Sequence, residues 1–252
     1  MIETTSIVED MKIISNREIA KDIYEMILEG KLTSFINGSG QFLHLKMPSE
    51  HLLLRRPISI AAYNDTQSTL LYRVVGQGTL EMSQLKEGET INALGPLGQG
   101  FKINQLSEQT EVLLVGGGIG VAPLYQLALD LHEAGHKVTS LLGFADKDDI
   151  YYAGEFAKVG KVIITTDDGS HGIKGHVGMG TDGINPQAVY ACGPTPLLKF
   201  VQNEYADLDH VYISMEERMA CGVGACHACD TKKKNKRICK DGPVFHRDEV
   251  EL

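Results

Sequence analysis

A chain of 252 residues, 42% hydrophobic and 23% charged, sits where two packed domains become the better expectation than one, and its composition excludes a disordered chain. Its net charge of −9 argues against a nucleic-acid partner, because a phosphate-binding surface is basic. Met1 to Ser15 carries Glu3, Glu9 and Asp10 without an apolar signal core, so a cytoplasmic protein with no export signal is expected.

From about residue 5 to 103 the pattern is one of short strands, Phe42 to Met47, Ile58 to Tyr63, Thr69 to Val75 and Thr90 to Ala93, separated by Gly, Asn, Asp and Pro turns. This predicts an antiparallel barrel. After a polar linker, Asn104 to Thr110, strand-like runs alternate with amphipathic ones. Val112 to Val115, Lys137 to Phe144, Lys161 to Thr166, Ala188 to Cys192 and His210 to Ser214 read as strands. Val121 to Ala134, Ala153 to Val159 and Thr195 to Ala206 read as helices between them, which predicts a parallel-sheet α/β domain over 108–214. Val112 to Leu131 is apolar enough for a membrane helix, but Gly116, Gly117, Gly118, Gly120 and Pro123 break it into strand, glycine turn and helix, so no membrane partner is expected. Residues 215–252 form a third, cysteine-bearing piece.

Four of the five cysteines stand in that last piece as Cys221-x4-Cys226-x2-Cys229-x9-Cys239, with Gly222, Gly224 and Ala225 in the first interval. Small residues let a backbone wrap closely around an iron–sulfur cluster and aim N–H groups at its sulfurs, and this spacing reads as a [2Fe–2S] site. The competing reading is structural zinc in a non-enzymatic interaction module, but only Cys226 and Cys229 make a C-x2-C pair. His227 reads as a bystander, since a Rieske centre needs two histidines. The basic run Lys232 to Arg237 reads first as a solvated loop and second as a docking patch.

Arg56-Pro57-Ile58-Ser59 opens a predicted strand, Leu71-Tyr72-Arg73 lies on the next, and Gly78-Thr79 opens a short helix. Barrel strands can hold a flat ring system by hydrogen bonds, while an arginine and a helix N-terminus satisfy a pyrophosphate. In the second half, Gly116-Gly117-Gly118-Ile119-Gly120 joins strand to helix, where backbone N–H groups can meet a pyrophosphate, and Ala191-Cys192-Gly193-Pro194 closes a later strand; both turns face one edge of the sheet, which favours a nicotinamide dinucleotide site over a plain steric turn. Cys192 reads as a small buried residue rather than a nucleophile. Asp146, Asp148, Asp149, Asp167 and Asp168 outnumber Lys147 downstream of the second strand; acidic groups suit a free ribose, favouring NADH over NADPH.

The barrel with R-x-x-S, the glycine-rich strand turn and the later C-G-P resemble the ferredoxin reductase superfamily. With M-A-C-G-V-G-A-C-H-A-C and C-K-D-G-P-V-F, nearly the whole chain resembles the electron-transfer subunits of class 1B (NAD-dependent) dihydroorotate dehydrogenases. The resemblance implies FAD at Arg56 to Ser59, Leu71 to Arg73 and Gly78-Thr79, the cluster on Cys221, Cys226, Cys229 and Cys239, and nicotinamide near Cys192, Gly193 and Pro194. It implies an oxidoreductase subunit of pyrimidine biosynthesis with no substrate-handling catalytic residue of its own. Its partner would be an FMN-containing catalytic subunit, two plus two in a heterotetramer. Departures from the pattern are the short gap before Cys239 and Asp230 after the third cysteine. A related flavin and iron–sulfur subunit of a hydrogenase, sulfide dehydrogenase or ferredoxin-dependent transhydrogenase is the nearer alternative.

Overall fold

The protein is described from a computed structural model covering residues 6–232 and 236–252. Six antiparallel strands close a barrel: β1 (Ile7–Ala20), β2 (Ile23–Glu29), β3 (Phe42–Leu45), β4 (Arg56–Tyr63), β5 (Gln67–Arg73) and β6 (Thr90–Leu97), in the order β1-β2-β5-β4-β3-β6. Alternate residues of these strands fill the interior, with Met11, Ile13, Met26, Leu28, Leu43, Leu45 and Leu70 inaccessible to solvent. The short helix α1 (Gln77–Gln84) puts Met82 into this core and lies against β1, where Asn16 Nδ2 donates to Met82 O at 2.8 Å. The sequence reading names neither β1 nor β2. β1 alternates core residues with Glu9, Lys12, Arg17 and Glu18, and its register shifts twice, so no clean period of two shows.

The second half is a seven-stranded sheet built from β7 (Glu111–Gly117), β8 (Lys137–Phe144), β9 (Lys161–Thr166), β10 (Ile173–Lys174), β11 (Ala188–Cys192), β12 (His210–Ser214) and β13 (Val244–His246). Its order is β10-β9-β8-β7-β11-β12-β13, parallel except for β13. The helices are α2 (Ala122–Glu133), α3 (Ala153–Phe156) and α4 (Thr195–Glu204), with α5 (Ile238–Asp241) in the cysteine segment. β7 and β11 are buried along nearly their whole length, as strands covered on both faces must be.

The run expected as strand, glycine turn and helix is β7, a 3₁₀ turn over Gly118–Val121, and α2 with Pro123 in its first turn, where a missing N–H costs nothing. Among the described residues no helix is long and apolar enough to cross a membrane.

The α2 face carrying Leu124, Leu127, Ala128 and Leu131 packs into a core that also takes Ile23, Ala61 and Leu71 from the barrel side. Each fully buried leucine contributes about 1.5–3 kcal/mol, so this shared core fixes barrel and sheet against each other. Polar contacts add direction. Tyr63 N donates to Gln126 Oε1 at 3.0 Å, and Tyr152 Oη donates to Glu25 Oε2 at 2.6 Å while Arg17 pairs with Glu25 at 2.7 Å.

Candidate functional site

Two clefts meet between barrel and sheet. The first, of about 480 Å³, is lined by Arg56, Pro57, Ile58 and Ser59 of β4, by Leu71, Tyr72 and Arg73 of β5, and by Thr79 of α1. Gly78 lies beneath the Arg56 guanidinium, for a Cβ there would stand 2.5 Å from Arg56 Nε. The arginine is thereby laid across the first turn of α1. Thr79 Oγ1 accepts from the N–H groups of Val75 and Gly76 at 3.0 and 3.3 Å, which ties down the turn entering that helix. A guanidinium beside a helix N-terminus is a place for a phosphate. Tyr72 is only 1% exposed; its ring turns into the barrel core and its Oη donates to Asn16 Oδ1 at 2.9 Å. The far wall, Ser214 to Met219, is one the sequence reading does not name. Its only sequence signal is that it directly follows a strand of the parallel sheet.

The second cleft, of about 840 Å³, opens at the C-terminal ends of β7 and β11. The strand order reverses between these two, since β8 and β9 lie to one side of β7 and β11 and β12 to the other. Ligands of open α/β sheets bind at such a switch point. Gly117, Gly118, Gly120, Gly193 and Pro194 line it. Gly116 and Cys192 lie one layer back, paired with each other in the ladder. A Cβ on Gly116 would stand 2.9 Å from Val121 Cγ2, so this glycine serves strand-to-helix packing. Cys192 is 1% exposed; burial, then the nearby Glu216, push its thiol well above the ordinary range, as suits a packing residue.

Of the five aspartates, Asp149 and Asp167 line this cleft. Asp146 instead caps a 3₁₀ turn, accepting from the N–H groups of Asp148 and Asp149, and Asp168 accepts from Ser170 N at 2.9 Å. Arg73, Ile119 and Glu216 line both clefts and form their common wall. Glu216 is open to the clefts along part of its length, but its carboxyl is hemmed in, and burial raises its pKa.

The cysteine loop packs against the barrel beside the first cleft. Phe42, which lines that cleft, shares a core with Cys229, Cys239, Met219 and Phe245. Left-handed backbone at Gly222 (φ +73°) and Gly224 (φ +79°) curls the loop so that its N–H groups face sulfur. Cys221 Sγ accepts from Val223, Ala225 and Cys226 at 3.4, 3.2 and 3.4 Å, and Gly224 N donates to Cys239 Sγ at 3.1 Å. Burial works to raise the Cys221 thiol, but these N–H groups outweigh it and bring it down to about 6. Burial and the neighbouring Cys229 thiol push Cys239 up to about 12.

Backbone N–H groups link the cysteines as two pairs: Cys226 N donates to Cys221 Sγ and Cys239 N donates to Cys229 Sγ, each at 3.4 Å. Among the described residues no three His, Cys, Asp or Glu side chains converge as a single-ion site. Two pairs, each backed by N–H donors, fit a two-iron cluster with two thiolates per iron better than one tetrahedral ion.

His227 and Asp230 pair with each other at 3.1 Å, which gives the unexpected aspartate a role in the loop. Of the basic run, Lys233 to Asn235 lie outside the described residues. Lys236 pairs with Glu249 at 3.2 Å, and Arg237 Nη1 donates to Gly224 O at 2.5 Å, so Arg237 braces the cysteine loop.

Residues 216–251 match the family model described as the iron–sulfur cluster binding domain of dihydroorotate dehydrogenase B. Over 253 residues the chain is 46% identical to the dihydroorotate dehydrogenase B (NAD(+)) electron transfer subunit of Streptococcus pneumoniae, covering 97% of this chain and 98% of that protein. The corresponding subunit of a Geobacillus species is 47% identical over 257 residues, again covering 97% and 98%. The chain belongs to this family. Among solved structures, an NADH-dependent reduced ferredoxin–NADP oxidoreductase, studied for flavin-based electron bifurcation, superposes with a TM-score of 0.85 at 32% identity, covering 96% of this chain and 90% of that one. A cytochrome P450 reductase of Amycolatopsis, at TM-score 0.71 and 18% identity, covering 84% of this chain and 71% of that one, shares the fold. As a member of the family the chain is an oxidoreductase's electron-transfer subunit, and the zinc-module reading falls away.

Proposed function

We propose that this chain is the electron-transfer half of a cytoplasmic, two-plus-two NAD-dependent dihydroorotate dehydrogenase, with FAD in the barrel cleft, a [2Fe–2S] cluster on Cys221, Cys226, Cys229 and Cys239, and NAD(H) in the sheet cleft. When bound, the FAD exchanges a hydride with NAD(H) and single electrons with the cluster, so that electrons taken from dihydroorotate at the partner's FMN reach NAD⁺. The observation that carries the reading is the common wall of Arg73, Ile119 and Glu216, with the cysteine loop packed beside Phe42 on the flavin side.

This chain's own tasks are to bind, align and exclude water. Arg56 and the first turn of α1 hold a pyrophosphate, and the backbone and Ser59 of β4 fix a flat ring beside Leu71. Gly117, Gly118 and Gly120 let backbone N–H groups approach a second pyrophosphate, while Gly193 and Pro194 leave room for a ring at the shared wall. Asp149 and Asp167 would accept hydrogen bonds from ribose hydroxyls and oppose an added phosphate.

Reconstitution tests this. The purified chain is expected to pass electrons from NADH to artificial acceptors, and dihydroorotate-dependent NAD⁺ reduction is expected only after the FMN subunit is added. Turnover of dihydroorotate by the chain alone, or none with the partner, overturns the reading. The likeness to the NADH-dependent ferredoxin–NADP oxidoreductase favours a second reading, a transhydrogenase subunit; NADH-dependent reduction of ferredoxin, with no response to the dihydroorotate-oxidising partner, would select it.

A further inference from the structure

The barrel face turned toward the cysteine loop carries a buried polar side chain that makes no aligned hydrogen bond among the described residues. On β3, Leu43 and Leu45 point into the barrel core, while Phe42 belongs to the core shared with Cys229 and Cys239. His44 lies on the Phe42 side of the strand by the alternation of the pleat. It is fully buried, and neither Nδ1 nor Nε2 makes an aligned hydrogen bond among the described residues. The Arg55 backbone stands near enough to be felt but not in line.

Nδ1 faces the cysteine loop: a Cβ placed on Gly222, the residue after Cys221, would stand 2.6 Å from it, with Leu97 Cδ1 at 3.1 Å. Across the ladder His44 is paired with Pro57, which lines the flavin cleft. The imidazole therefore lies between the two candidate redox sites. Buried N–H groups in native proteins have acceptors, and a ring whose nearest one, the Arg55 backbone, is out of line calls for an explanation.

We propose that His44 is a positioning residue for the iron–sulfur group, its ring N–H being the donor that the barrel side supplies to the sulfurs held by the cysteine loop. The inference rests on the cluster assignment made above. It also gives Gly222 a second reason to be glycine, since any side chain would strike the ring that has to reach past it. A hydrogen bond donated to a cluster sulfur stabilises the reduced, more negative form and raises the reduction potential. The apolar surroundings of Phe42 and Leu97 strengthen that effect.

The test is a potentiometric titration followed by EPR on the full chain carrying FAD and cluster, comparing wild type, His44→Leu and His44→Gln. His44→Leu is expected to lower the cluster midpoint potential at unchanged iron content, and His44→Gln, which keeps an N–H donor, to restore most of it. Should His44→Leu fail to load iron, pulsed EPR on His227→Gln protein grown with heavy-nitrogen histidine decides, because a histidine nitrogen coupled to the reduced cluster is then expected from His44. A fully loaded His44→Leu protein with the wild-type potential overturns the proposal, as does a labelled cluster with no histidine nitrogen coupling. A wild-type chain that takes up no iron–sulfur cluster at all overturns the assignment underneath it, an outcome plainly different from an unshifted potential.

Discussion

Replacing Gly120 by alanine probes the contact that holds the two glycine turns of the sheet cleft together. A Cβ there would stand 2.5 Å from the carbonyl carbon of Cys192 and 2.6 Å from Gly193 Cα, with the Cys192 oxygen nearer still. All three are backbone atoms at the end of β11, held by ladders to Gly116 on one side and Ser214 on the other, so they cannot swing aside as a side chain would. Overpacking costs about 1–3 kcal/mol, and the stiffer unfolded chain of alanine returns about 0.4–1 kcal/mol. A net loss of about 1–2 kcal/mol lowers Tm by about 2–8 °C for a chain of this size.

The two glycine turns are pushed apart by a fraction of an ångström, and misplacement of reacting groups by ~1 Å can cost ~100-fold in rate. The kcat/KM of NADH with an artificial acceptor should therefore fall about tenfold or more while FAD content holds. Gly135→Ala is the control, because it lines neither cleft, its Cβ meets nothing within 4 Å and only its φ of +83° is strained. It should cost about 1–2 kcal/mol of backbone strain with a smaller kinetic effect. Wild-type Tm and NADH kinetics in Gly120→Ala would refute the close approach of the two turns.

Cys239→Ala should abolish most of the visible and EPR signal of the cluster while flavin absorbance survives; a full iron complement in that variant would remove Cys239 from the ligand set. Flavin reduction should be markedly faster with NADH than with NADPH, and Asp167→Asn should narrow the gap; equal kcat/KM for the two nucleotides in the wild type would count against the aspartates that line the cleft. Burial, then Arg55 and Arg56, lower the pKa of His44 from 6.5 to about 4. Its contribution is intact above the unfolded value and is lost as pH falls through the window toward 4. Urea unfolding of the cluster-free chain should thus show a loss of up to about 2 kcal/mol between pH 7 and pH 5 that His44→Gln lacks, and identical pH slopes in the two proteins would contradict it.

The parts legible in the sequence were those whose spacing is itself the chemistry. Cys221 to Cys239 and the glycine run at 116–120 stand at intervals that a closely wrapped loop and a strand-to-helix turn require, and the structure brings them together as such. β1 was not legible, because Glu9, Asp10, Lys12, Arg17 and Glu18 and two register shifts hide its alternation, and β2, though mostly buried, is a short run broken by Glu25. Ser214 to Met219 and His44 escaped for a different reason. Their surroundings are made by elements far away in the chain, so neither periodicity nor spacing marks them. Asp146 illustrates the converse: an acidic residue in the right stretch that the fold spends on capping a turn.

β13 closes one edge of the parallel sheet, and it belongs to the same segment as the cysteines. Holding that segment in place also shields β12, a five-residue strand, HVYIS, whose Val211 to Ser214 are buried and whose outer backbone groups pair with β13. Removing β13 by truncation before Val244 would lay that edge bare, offering an apolar template to any other strand. The segment that carries the thiols therefore also guards the sheet against edge-to-edge pairing with other chains.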